Sequence, residues 1–402
     1  MHNLQKYIKR RLESEIYKRI NIFPAVLILG SRQCGKSTLV KMLAEGRDDY
    51  IYLDLQDMGD LNKLSEPKLF FEANRPVLIC LDEIQQTPHL FSVLRSEIDR
   101  DRRAGRFILL GSASQELIQK TSETLAGRIS MVELSPFSID EIIMHNPQAD
   151  LMTYWNRGGY PDSYLAVNDE FSTIWREDFI KTYVQRDLPQ LGIQIPALQM
   201  RRFMTFCAHL SGQLLNSSQL GESFGIAHTT VRRYIDLLEQ TFLVRVLMPY
   251  SNNEKKRLVK SPKMYIRDVG LLHQLLQIKD YNDLIGHPIF GSSWESLVVE
   301  NICSVFDGCR FSFYRSASGD EMDLILQKSN KTIAIECKAS AAPQVTKGFW
   351  NVISSVQPQI TLVVAPISNC YPIKENVYVC GLSKAMQLIN DTFNAGEDVG
   401  GT

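Results

Sequence analysis

AVLILGSRQCGKSTL, residues 25–39, decides how the first third of this chain folds. Five apolar residues in succession read as a strand buried on both faces. They run into Gly30, and Gly35, Lys36 and Ser37 then complete the spacing G-x-x-x-x-G-K-[ST]. A loop of this kind curls until successive backbone N–H groups face one point. The helix that follows adds the positive end of its dipole at the same place. Such a loop cradles phosphate. Gly30, Ser31, Arg32, Gln33, Cys34, Gly35, Lys36, Ser37 and Thr38 are therefore the candidate nucleotide-binding set. Lys36 would bring a point charge to the β- and γ-phosphates, and Ser37 would ligate magnesium, so the expected cofactors are ATP and Mg2+. For Arg32 and Gln33, loop packing is the plainer reading.

A second stretch sharpens the first. VLICLDE, residues 77–83, is an apolar strand that ends in two carboxylates. Asp82 would hold the magnesium through water, and Glu83 would polarise the water that attacks the γ-phosphate. After a third apolar strand, FILL, comes GSAS, where Ser112 would contact the γ-phosphate or the attacking water. Arg128, in LAGRISMVEL, admits two readings. One is a charge-stabilising finger acting in cis or from a neighbouring subunit; the other is a salt bridge at the sheet edge. A trans finger would require a homo-oligomer, whereas a cis role allows a monomer.

Outward from these motifs, residues 24–135 alternate short apolar runs with helical patterns, which argues for a parallel α/β sheet covered by helices. Residues 1–20 read as a basic amphipathic helix. The whole chain has 402 residues, 44% apolar and 22% charged, with a formal charge of −1. That is a globular composition, and it leaves polyanion binding to local patches rather than a global field. The eight cysteines include no C-x-x-C pair, so neither a zinc site nor a disulfide framework is expected. The N-terminus is polar and no apolar run approaches the ~20 residues that span a bilayer. The expectation is a reduced, cytoplasmic protein with no membrane partner.

Residues 217–244, SSQLGESFGIAHTTVRRYIDLLEQTFLV, carry Leu220, Phe224, Ile226, Val231, Ile235, Leu237 and Leu238 at helical spacing, with Gly225 at a turn. This is the shape of a winged helix-turn-helix. Its second helix would expose His228, Thr229, Thr230, Arg232 and Arg233, residues suited to phosphate and base-edge contacts, which makes DNA an expected partner. The alternative is a packing unit or lid. KKRLVKSPK, residues 255–263, adds local positive charge.

Near the C-terminus, Asp323 precedes a run of apolar residues, and Glu336 and Lys338 stand two apart in AIECKA, on one face of a strand. Glu295 lies upstream in a helical stretch. This is the pattern of PD-(D/E)XK nucleases, in which carboxylates hold a second Mg2+ or Mn2+ and the lysine orients water. The plainer reading pairs Lys338 with Glu336, and Arg315 would touch a phosphate or pair with Asp323.

Taken in order, GSRQCGKSTL, LDEIQ, ILLGSASQ, LAGRISMVELSPFS, RGGYPD, YVQRDL, KSPKMYIRDVGLL and GDEMD…IECK resemble a large prokaryotic family of AAA+-like ATPases with a C-terminal domain of unknown function. The resemblance spans nearly all of residues 5–385. It implies an ATPase domain, a helix-turn-helix segment and a nuclease-like terminal domain. With the residue patterns, the expected division is an AAA+-like P-loop ATPase domain at 1–150, a helical lid or linker at 151–195, a winged helix-turn-helix segment at 196–284 and a restriction-endonuclease-like α/β domain at 285–392. Two functions remain open. One is an ATPase acting on DNA; the other is a nucleotide-controlled switch that binds a protein or DNA partner and carries an inactive nuclease-like scaffold.

Overall fold

The computed structural model describes residues 7–112, 121, 123–190, 195–251 and 258–395. The chain forms two compact units. One comprises residues 1–137, 141–147 and 240–242, and the other residues 138–140, 148–239 and 243–402.

In the first unit, β1 (Ala25–Leu29), β2 (Tyr50–Asp54), β3 (Leu78–Asp82), β4 (Phe107–Gly111) and β5 (Ile129–Glu133) form one parallel sheet in the order β2-β3-β4-β1-β5. β1, β3 and β4 are buried at every position, as continuous apolar runs in a doubly covered sheet must be. Leu27, Leu81 and Leu109 from these strands pack with Leu94 and Ile98 of the helix Leu90–Arg100. Because β4 sits between β1 and β3, the loop after β1 and the acids ending β3 open at one carboxyl edge. Open α/β sheets bind their ligands there. The N-terminal amphipathic helix runs from Leu12 to Ile20, burying Ile16 and Ile20, and is shorter than residues 1–20.

The second unit explains two motifs that the sequence alone left unassigned. A Cβ on Gly158 would lie 2.3 Å from Asp268 Oδ1, and one on Gly270 would lie 2.1 Å from the Arg157 carbonyl oxygen. RGGYPD and RDVGLL therefore fit closely against each other, and only glycine permits the approach. Asp268 accepts from the Gly159 amide at 2.8 Å and caps the helix Val269–Leu275 through Leu271 N. Arg176, fully buried, donates to the carbonyls of Asn156 and Gly270.

Further along, the helix Ala197–His209 precedes β6 (Gln213–Leu214). The helices Ser217–Phe224 and His228–Gln240 follow, joined through Gly225 at φ 64°. β7 (Val244–Leu247) and β8 (Lys263–Ile266) complete an antiparallel sheet in the order β6-β8-β7. Phe203 packs edge-on against Phe224 and Tyr234, which fixes the first helix on the pair. Lys255, Lys256 and Arg257 of the basic stretch lie outside the described residues.

The last region places the helix Phe290–Val305 before β9 (Arg310–Arg315), β10 (Glu321–Lys328) and β11 (Lys331–Cys337). The helix Lys347–Val356, β12 (Ile360–Val364), β13 (Cys370–Lys374), β14 (Val377–Cys380) and the helix Leu382–Asn394 follow. The sheet order is β13-β14-β12-β11-β10-β9. A helix, three strands, a helix and a strand thus follow one another from residue 290. β13 and β14 are additions: β13 is exposed throughout and contains Pro372, which an edge strand tolerates.

Candidate functional site

The phosphate loop is shaped by its two glycines. A Cβ on Gly30 would meet the Leu134 carbonyl oxygen at 2.3 Å, so the backbone of the loop lies directly against the segment that follows β5. Gly35 adopts φ 99° immediately before the helix Lys36–Leu43, a left-handed turn that aims the helix N-terminus into the loop. Gln33 also has a positive φ, 60°. Lys36 is 6% exposed and its ammonium bonds the carbonyls of Gly30 at 3.0 Å and Ser31 at 2.8 Å. Its charge is thus held inside the loop rather than in solvent. Cys34 is buried and its thiol reaches the Leu134 carbonyl.

The acids stand opposite. Ser37 Oγ donates to Asp82 Oδ2 at 2.5 Å, the Tyr52 hydroxyl donates to the same oxygen, and Glu83 N donates to Asp82 Oδ1 at 2.9 Å. Asp82, 4% exposed, is thereby oriented from three directions. Glu83 sits at φ 57°, ψ 43°, a left-handed conformation that costs a non-glycine residue energy and that clusters at functional sites. Burial raises its pKa above the ordinary glutamate value, partly offset by the Lys36 charge. A raised pKa suits a group that must accept a proton from water near neutrality.

Gln85 links these acids to the end of β4. Its Nε2 donates to Glu83 Oε2 and, at 2.9 Å, to Ser112 Oγ. Its Oε1 is buried without a hydrogen-bond partner among the described residues. Sequence reading named Glu83 and Ser112 but passed over Gln85, although LDEIQ holds it two residues beyond the acid.

Arg10 was also missed. Its side chain is 4% exposed, pairs with Glu141 at 3.0 Å and donates to the carbonyls of Cys34 at 3.0 Å and Ser135 at 2.5 Å. It also lies over the Phe137 ring. A residue upstream of β1 therefore fixes the middle of the phosphate loop. The only sequence signal was a basic run, which does not distinguish a buried arginine from a solvated one.

The residues fit MgATP. Lys36 and the loop amides would hold the phosphates, and Ser37 with Asp82 would hold the magnesium, which when bound withdraws charge from the phosphates. Glu83 would take a proton from the attacking water, and Gln85 would keep its carboxylate in place.

Arg128 is engaged elsewhere: its guanidinium makes a two-pronged contact with Asp99 at 2.7 and 2.9 Å. In the second unit, Thr229, Arg232 and Arg233 are exposed and Thr230 half-buried on the helix His228–Gln240. Glu295, Asp323, Glu336 and Lys338 come together at one end of the β9–β11 strands, with three residues that the spacing did not disclose: Lys263, Tyr265 and Glu321. Lys338 pairs with Glu336 at 2.6 Å, and Arg315 pairs with Glu321 rather than Asp323. Burial and the neighbouring Asp323 push Glu295 up to about 7 and Glu336 up to about 8.

Three family models match the chain: an AAA domain over residues 23–143, a domain of unknown function (DUF8612) over 148–282, and another (DUF4143) over 290–385. The chain is 36% identical over 369 residues to the uncharacterized proteins Mb2031c of Mycobacterium bovis and Rv2008c of Mycobacterium tuberculosis. Each alignment covers 92% of this chain and 82% of the relative. Among solved structures it is similar to the Walker-type ATPase paby2304 of Pyrococcus abyssi, at 16% identity and a TM-score of 0.47. That match covers 68% of this chain and 97% of the other, and a likeness so loose carries no argument about activity.

Proposed function

Given that the chain belongs to the family of these two mycobacterial proteins and carries an AAA domain of P-loop ATPase fold, we propose that it hydrolyses MgATP and uses its nucleotide state to control a hold on DNA. The observation that carries the hydrolytic clause is the chain Ser112–Gln85–Glu83 standing beside the Ser37–Asp82 pair. A site that only bound nucleotide would have no use for a strained, half-buried glutamate clamped by a glutamine.

The DNA clause is supported by residues 197–266. There a helix, a short strand, two helices joined by a left-handed glycine and two antiparallel strands follow the order of a winged helix-turn-helix. Arg232 and Arg233 are neighbours on the exposed face of its second helix, where they would meet phosphates. The C-terminal sheet, with its gathered acids, supports a nuclease-like core that serves as a scaffold. Arg128, already held by Asp99, favours a sheet-edge salt bridge; action as a trans finger in a homo-oligomer would require that contact to break. Among the described residues no helix is long and apolar enough to cross a membrane.

Fluorescence anisotropy with labelled duplex DNA tests the switch. The Glu83→Gln variant held in ATP and the wild type in ADP are compared at two salt concentrations. Affinities more than about tenfold apart are expected, a coupling inside the usual allosteric range. Arg232→Ala with Arg233→Ala should weaken binding and lower the salt slope by about two. Equal affinity in both nucleotide states would remove the switch, and an unaffected double variant would remove the helix contact.

A further inference from the structure

Lys263 ends the basic stretch KKRLVKSPK, yet it is 2% exposed, on the central strand of the β6-β8-β7 sheet. Its ammonium lies 2.9 Å from Glu295 Oε1, 2.7 Å from Glu321 Oε1 and 3.3 Å from Asp323 Oδ1. An ammonium has three N–H donors and no acceptor. Here three carboxylates, from the helix Phe290–Val305 and from β10, use all three.

Glu295 and Asp323 are two of the acids a divalent ion would need in this region. Mg2+ demands near-octahedral oxygens at about 2.0–2.1 Å. These oxygens instead converge on a nitrogen at hydrogen-bonding distances, and a metal among them would share its ligands with a fixed like charge. Several further bonds of these acids are also made within the protein. Asp323 Oδ2 accepts from Cys337 N at 2.8 Å, the Tyr265 hydroxyl donates to Glu295 Oε1 at 2.7 Å, and Arg315 reaches Glu321 Oε2 at 3.2 Å. No group of three or more His, Cys, Asp or Glu among the described residues is arranged to hold a metal ion. The residues do not fit a second Mg2+ or Mn2+.

One buried oxygen has no such bond. Glu336, 9% exposed, bonds Lys338 through Oε1, while its Oε2 is buried without a hydrogen-bond partner among the described residues. The cluster thus retains an open carboxylate oxygen next to acids whose cation is a lysine.

We propose that Lys263 is the resident cation of this acidic cluster, in place of a divalent ion, and that the cluster becomes a Mg2+- or Mn2+-type site only when the Lys263 ammonium is removed. This inference is independent of the ATPase reading, since every residue in it lies in the second unit. It makes the C-terminal region a scaffold in the wild type and identifies the single charge that keeps it one.

Mn2+ titration of the nucleotide-free full-length chain, followed by the electron paramagnetic resonance of free Mn2+, tests it. Asp82 at the phosphate loop also offers a ligand, so the readout is the part of the binding that depends on Asp323. In the wild type, Asp323→Asn should leave Mn2+ binding unchanged. Lys263→Met should gain one site, at least about tenfold tighter than any in the wild type, and Asp323→Asn in that background should abolish it. Should Lys263→Met unfold on its own, Mn2+ should restore its melting transition, and Lys263→Met with Glu295→Gln should fold without metal. Asp323-dependent Mn2+ binding in the wild type would overturn the proposal. So would a Lys263→Met protein that neither binds Mn2+ nor is rescued by it.

Discussion

Ser37 and Asp82 are joined by a 2.5 Å hydrogen bond from the first turn of the phosphate-loop helix to the last residue of β3. The two residues are 45 positions apart, and β1, which leads into the helix of Ser37, does not touch β3, which ends in Asp82, since β4 lies between them. The parallel sheet brings them together by ending its strands at one edge. The same edge gathers Lys36, Glu83, Gln85 and Ser112, so one topological fact assembles the site proposed to hydrolyse ATP.

Gln85 should act on turnover rather than on binding. It touches Glu83 and Ser112 and none of the loop residues that would hold phosphate. Gln85→Ala should lower kcat roughly 10- to 100-fold, the usual effect of a misplaced reacting group, with little change in KM. Steady-state phosphate release across ATP concentrations checks the split. A matched loss in kcat and in thermal stability would indicate a structural role instead.

Arg10 and Glu141 form a buried pair, their side chains 4% and 6% exposed. Arg10→Ala removes one half of this buried pair and should cost up to about 3–5 kcal/mol in unfolding free energy. The variant also frees the Cys34 carbonyl, so nucleotide affinity should fall along with stability. Denaturant titration and nucleotide-induced melting shifts measure the two effects. Replacing both partners with Met should recover part of the stability but not the affinity.

His273 predicts a pH dependence for the second unit. It lies wholly buried between Asn156 O and Ser293 Oγ, and burial holds its pKa down to about 3, against 6.5 for a free histidine. Above pH 6.5 both folded and unfolded states hold it neutral. Below that value the unfolded chain takes up a proton that the fold refuses, so stability falls as pH drops and keeps falling to about 3. His273→Gln should flatten the curve between pH 6.5 and 4 in urea midpoints; an unchanged slope would exclude the effect.

What the sequence disclosed follows from distance along the chain. The phosphate loop and VLICLDE are each contiguous, and their chemistry is local, so residue types and spacing were enough. Arg10 and Lys263 were not legible for the same reason. Each looked like a member of a basic run, and only partners far away in sequence show it to be buried: Glu141 for the first, Glu295, Glu321 and Asp323 for the second. Charge in a sequence gives no sign of depth.

Two glycines make the same point. Gly158 and Gly270 stand in motifs that the sequence left unassigned, and their work is the close approach of RGGYPD to RDVGLL. Arg128 could be read as a finger or as a salt bridge, and the partner it meets, Asp99, lies on the helix Leu90–Arg100 with nothing in the sequence to mark it. β13 was passed over because its pattern is that of an exposed edge, without the alternation that identifies a half-buried strand.

The central claim is that this chain splits ATP with Glu83 as the base, and phosphate release under MgATP tests it most directly. Wild type and Glu83→Gln are measured side by side, with nucleotide binding of both followed by calorimetry. The account predicts turnover by the wild type, and a variant that binds MgATP as well but releases phosphate at least about a hundredfold more slowly. Equal release rates, or no magnesium-dependent release from the wild type, would contradict it.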